Sequence, residues 1–131
     1  MKTMMKVAFA IVLTFVLANF AVAQTQPVND KEYNDYLINA LQDENAGIRA
    51  SAAQLLGERK VEDAVDPLIQ LMKTDKNHSA RILAALALYN IGDKKALPEI
   101  KKLAKTDKYK SVRVVATGIA MKMESVELAQ M

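Results

Sequence analysis

An arginine recurs every thirty-two residues in this chain, at Arg49, Arg81 and Arg113, and it brings fixed company with it. Six residues before each stands an aspartate (Asp43, Asp75, Asp107), and three residues after each an alanine (Ala52, Ala84, Ala116). Lys73-Thr74-Asp75-Lys76 returns unchanged as Lys105-Thr106-Asp107-Lys108, and Ser79 returns as Ser111. A period of this size marks an array of supersecondary units, none of which can bury its apolar face alone, so that stacking of neighbours creates the core. Arrays of this kind usually act by offering extended surfaces to a partner, which turns the search for function from pockets towards faces.

The first residues read as a removable leader. Lys2 and Lys6 supply a basic start, an apolar run extends from Val7 to Leu17, and Ala21 and Ala23 place small residues before a cut after Ala23. The competing reading is an uncleaved anchor. A span needs about 20 apolar residues, and Asn19 interrupts this one. The expected layout is therefore a signal peptide over 1–23, a flexible polar lead-in over 24–30, and a repeat domain over 31–131 in copies of about 31–60, 61–92 and 93–126. Export then delivers the chain to the periplasm or the cell exterior. There is no Cys, so neither a lipidated cysteine at the cut nor a disulfide framework is available.

Without the leader 108 residues remain, enough for one domain. They carry 16 basic and 15 acidic side chains, unevenly placed: residues 24–93 hold 7 basic against 11 acidic groups, residues 94–131 hold 9 against 4. Such polarity bears on association rather than on fold.

Apolar residues return at helical spacing throughout: Tyr33, Tyr36, Leu37, Ala40 and Leu41, then Ala64, Val65, Leu68, Leu71 and Met72, then Ala96, Leu97, Ile100, Leu103 and Ala104. A second set of helices starts just before each repeated Arg, with Asn45 and Asn77 as equivalent caps and Tyr109 in that place in the third copy. Gly57 and Gly92 read as helix stops, eight and eleven residues after their Arg, which predicts a second-copy helix about one turn longer than the first. Pro67 and Pro98 fall near helix starts, where proline opens or kinks a helix. Six helices are predicted, at about 30–42, 46–57, 62–73, 77–91, 94–105 and 109–126, paired into three hairpins.

Leu37-Ile38, Leu41, Asp43, Ile48-Arg49, Ala52-Ala53 and Leu56-Gly57 together resemble a HEAT repeat, especially the short form of bacterial HEAT-like and phycobilisome-lyase-like proteins. Leu71, Asp75, Ala80-Arg81, Ala84-Ala85, Leu88 and Ile91-Gly92 match in the second copy, and Leu103, Asp107, Val112-Arg113 and Ala116 in the third. The third copy then departs, with Thr117 for the second small residue, Ala120 for the leucine and no following Gly. The resemblance implies an all-α, right-handed α-solenoid of three helical hairpins. It implies a structural ladder of Asp43, Arg49, Asp75, Arg81, Asp107 and Arg113, in which each Arg bonds carboxylates or turn carbonyls of its own and adjacent repeats. An Arg stripe binding phosphate or nucleic acid is the alternative, disfavoured because every Arg arrives with its own Asp.

Catalytic groups are sparse. His78 is the sole His, at a helix start between Asn77 and Ser79, where a metal site needs several converging ligands. No phosphate loop and no serine with a neighbouring base appears, so no enzyme activity and no cofactor is expected. Two surface features stand out instead. One, five and eight residues after the Arg, the first copy has Ala50, Gln54 and Gly57, the second Ile82, Leu86 and Tyr89, and the third Val114, Gly118 and Met121. Ile82, Leu86, Tyr89, Val114 and Met121 thus form either an exposed partner face or packing beneath the third repeat and a C-terminal tail containing Val126 and Leu128. The second feature is the run of lysines around Lys101, Lys102 and Lys105, either a solvated face or a weak contact for an anionic membrane surface. The expected function is an exported, non-catalytic protein-interaction or scaffold module with a protein partner and no nucleic acid. The alternatives are a helper or subunit of an enzyme, and a binder of anionic envelope surfaces.

Overall fold

Helices account for all of the repeated register. A computed structural model of the chain describes residues 2–4 and 29–131. The leader and its cut after Ala23 lie outside the described residues except for 2–4, and the lead-in lies outside them except for Asn29 and Asp30. Lys31–Met131 forms one compact unit. Its helices are α1 (Asp30–Ala40), α2 (Ala46–Glu58), α3 (Val65–Thr74), α4 (His78–Ile91), α5 (Leu97–Thr106) and α6 (Lys110–Ala129). One-turn 3-10 segments at Glu62–Ala64 and Lys94–Ala96 lead into α3 and α5. No strand occurs among the described residues.

Local chemistry sets these boundaries. The Asn45 side chain accepts from the Gly47 amide at 2.8 Å, and Asn77 accepts from Ser79 at 2.9 Å, so both satisfy amides that the first turns of α2 and α4 leave unpaired. Tyr109 makes no such bond at the start of α6. Pro67 and Pro98 stand in the first turns of α3 and α5, where a missing amide hydrogen costs nothing.

Packing explains the alanines. The second helices, α2 against α4 and α4 against α6, lie in close contact, while the first helices α3 and α5 barely meet. Ala52, Ala53, Ala84, Ala85 and Ala116 are buried and give the second helices that closeness. Leu56, Leu68, Met72, Leu88 and Ile100 fill the space between the hairpins.

Gly57 departs from its expected role. It does not stop α2 but lies inside it, and a Cβ there would sit 2.5 Å from the Cα of Ala87 on α4. The residue is glycine because two helix backbones meet, and α2 runs on to Glu58, with Lys60 at a φ of 53° turning the chain beyond it. Consequently α2 and α4 differ by one residue, 13 against 14, not by a turn. Gly92 does end its helix in the left-handed conformation, with a φ of 80°. The last helix is longer than expected and continues to Ala129.

These contacts predict opposite outcomes for two glycines. Gly57→Ala should destabilise by about 1–3 kcal/mol through forced separation of α2 and α4. Gly118→Ala on α6, where a Cβ meets nothing within 4 Å, should stabilise by up to about 1 kcal/mol. Urea denaturation of both variants measures this, and equal effects would contradict the packing described.

Candidate functional site

Each turn between the helices of a hairpin begins with the repeated aspartate, and that aspartate does two things. Its Oδ1 accepts the amide two residues on: Asn45 to Asp43 at 2.7 Å, Asn77 to Asp75 at 2.8 Å, Tyr109 to Asp107 at 2.9 Å. Where a preceding repeat exists, the same carboxylate also receives that repeat's arginine. Arg49 grips Asp75 through Nε at 2.6 Å and Nη2 at 2.9 Å, and Arg81 grips Asp107 at 2.7 and 2.9 Å. The remaining nitrogen, Nη1, turns back to its own turn, where Arg49 meets the carbonyls of Asp43 and Glu44, Arg81 those of Asp75 and Lys76, and Arg113 those of Asp107 and Lys108. One planar fork thus ties a turn to itself and to the next repeat.

The electrostatics follow this geometry. The Asp75 and Asp107 side chains are only 2% and 5% exposed. The bond from Arg49 holds the Asp75 carboxyl below the ordinary carboxylate range, against the opposing effect of burial. At Asp107 burial is the largest single influence and acts upward; the bond from Arg81, the Tyr109 amide and the charges of Arg81 and Arg113 together outweigh it, and the carboxyl is lowered. Bonding to Asp75 raises Arg49 above its usual value.

Both ends of the ladder are open. Asp43 receives no arginine, and Arg113 reaches no carboxylate through its Nε or Nη2, among the described residues. Tyr109, in the place of the capping asparagine, stacks on His78 at 4.8 Å, with the Arg81 guanidinium 5.6 Å from its ring centre. His78 thereby belongs to the turn stack, and no cluster of three metal-ligating residues occurs among the described residues.

The five apolar positions fall into two groups. Ile82 and Tyr89 are half-buried against the core, because α6 stacks on that side of α4. Leu86 between them is 36% exposed. Val114 and Met121, at the same register on α6, are 60% and 65% exposed, since no helix among the described residues stacks on that side of α6. With Gly118, Ser125 and Leu128, all exposed, they form one stripe along α6 at helical spacing. The last turns of α6, expected as a tail, instead run past the ends of α2 and α4 and enclose a cleft of about 490 Å³ lined by Gly57, Tyr89, Leu97, Met123 and Val126. Val126 was expected in a packing tail, but Met123 was not singled out from the sequence, although its spacing from Ile119 continues the helical pattern and carried the signal.

The lysine run is partly neutralised. Lys101 pairs with Glu124, Lys94 with Glu127 at 3.7 Å, and Lys95 with Asp66 at 2.5 Å. Lys102 and Lys105 stay exposed, with no ion pair among the described residues.

A family model of HEAT repeats matches residues 34–120 of the chain, spanning the whole ladder. The chain belongs to the HEAT repeat family. No curated protein matches it. HEAT repeats generally mediate protein–protein contacts and are typically non-catalytic scaffolds, in keeping with a site built of faces and a structural ladder.

The lowered carboxyls fix how this HEAT stack responds to acid. A carboxyl lower in the folded than in the unfolded state contributes its full stability above the unfolded value, near about 4, and loses it as pH falls through the folded value. Urea midpoints should hold to about pH 4 and then fall steeply; the fall should be shallower in Asp75→Asn, whose stability is already reduced at neutral pH. Parallel profiles for the two proteins would contradict the assignment.

Proposed function

We propose that this HEAT chain is an exported, non-catalytic module that holds another protein, and that the exposed stripe of α6 is its contact face. The single observation that carries the proposal is the open register of the third repeat: Val114 and Met121 are exposed where their counterparts Ile82 and Tyr89 are half-buried against the core. A contiguous apolar stripe on a surface is characteristic of an interaction site. Export is supported by the leader layout of residues 1–23, with its basic start, apolar run and small residues before the cut.

Burying Val114, Met121 and Leu128 would supply the apolar centre of an interface, and the surrounding polar residues its rim. The chemistry of an enzyme, if the chain serves one, would reside in the protein it holds. The exposed Lys102 and Lys105 could add weak attraction for anionic lipid, a contact that salt would screen.

The test uses protein purified from cells expressing the full chain, immobilised and exposed to envelope extract. The expected result is a defined protein bound by the wild type and lost from Val114→Glu and Met121→Glu, both with unchanged melting temperature. Capture unaffected by these substitutions would remove α6 as the contact face. Retention of anionic vesicles alone, abolished by replacing Lys102 and Lys105, would instead establish the lipid-binding alternative.

A further inference from the structure

The two ends of the stack are the two halves of the junction that already joins its repeats. Inside the stack, the side of each second helix eight residues after the Arg faces the following repeat, and the side six residues after it faces the preceding one. Gly57 meets Ala87 in this way, and Ala87 and Ile119 are both buried. At the ends the same positions are less covered than inside the stack. Met121 is exposed, and Leu55 is only half-buried, in a groove of about 400 Å³ shared with Tyr33, Tyr36 and Ile48.

The ladder is open at the same two places and in the complementary sense. Among the described residues, Arg113 has an unused pair of donors on one end, and Asp43 has a carboxylate that receives no arginine on the other. Arg49–Asp75 and Arg81–Asp107 show the bond that such a pair makes when two repeats are stacked. Charge points the same way, since residues 24–93 carry 7 basic against 11 acidic groups and residues 94–131 carry 9 against 4.

We propose that a second copy of this chain docks head to tail on the first, the α6 stripe of one entering the groove between α1 and α2 of the next, with Arg113 of one copy gripping Asp43 of the other. This deepens the reading of α6 as a protein-binding face and rests on it. The contact is heterologous, each copy offering a different surface, so it extends to chains rather than stopping at a symmetric pair. Opposed charge across it speeds encounter and rejects copies in the wrong register.

Sedimentation velocity on the purified protein, over a range of concentrations and at low and high salt, tests this. The expected result is concentration-dependent growth beyond the monomer that salt weakens. Arg113→Asp and Asp43→Arg should each weaken it about a hundredfold or more by setting like charges against each other. An equimolar mixture of the two variants should associate again, because every junction in it pairs Asp with Arg. Met121→Glu, at an exposed position, should abolish association without the loss of a turn bond that Asp43→Arg entails. A protein that stays monomeric throughout overturns the proposal, as does association indifferent to both charge reversals. A monomer that still captures a different protein through α6 overturns the second copy as occupant and leaves the protein-binding face intact.

Discussion

The bond between the arginine of one repeat and the aspartate of the next is what the rest of this structure depends on. An aspartate in a turn is ordinary; so is an arginine on a helix. Their combination is unusual because one carboxylate closes its own turn and receives the guanidinium of the preceding repeat, while one guanidinium also binds the carbonyls of its own turn. Each rung therefore fixes two things with one set of atoms: the shape of the hairpin and its height relative to its neighbour. The buried charges cost solvation that only paired, fully bonded partners can offset. Sliding one repeat against the next would forfeit that pairing, so the ladder selects one register among many that the apolar core alone would tolerate.

That register determines what the small residues must be. Once neighbouring second helices are held at the height set by the ladder, α2 and α4 meet backbone to backbone at Gly57 and Ala87, and alanines line the rest of the contact. Helix order and pairing could be read from the sequence because the apolar spacing recurs in each of the three copies, while the bonding of Asp and Arg as a ladder was implied by the resemblance to HEAT repeats, since repetition marks these residues without saying what they bond. The role of Gly57 could not, because glycine as a helix stop and glycine as a point of close approach look alike until the neighbour is in place. For the same reason the apolar residues after each arginine were ambiguous. Ile82 and Val114 occupy equivalent positions in the sequence, yet one is half-buried and the other open, since burial depends on whether another helix stacks on that side.

Function in such an array resides where the repetition stops. The middle repeat is satisfied on both sides, by Arg49 at its aspartate and by Asp107 at its arginine. The outer repeats each retain half of a junction: an acidic turn with an aromatic groove at the start, a basic turn with an apolar helix face at the end. A stack of three repeats thus presents two open half-junctions, and HEAT repeats generally mediate contacts through surfaces of this kind.

The most direct measurement is a double-mutant cycle on Arg81 and Asp107, replacing each by alanine singly and together and following urea unfolding. If the ladder couples adjacent repeats, the two substitutions are strongly non-additive, with a coupling of about 1.5–3 kcal/mol in favour of the intact pair. Additive losses, with a coupling near zero, would mean that the apolar core alone sets the register and that the arginines are incidental to it.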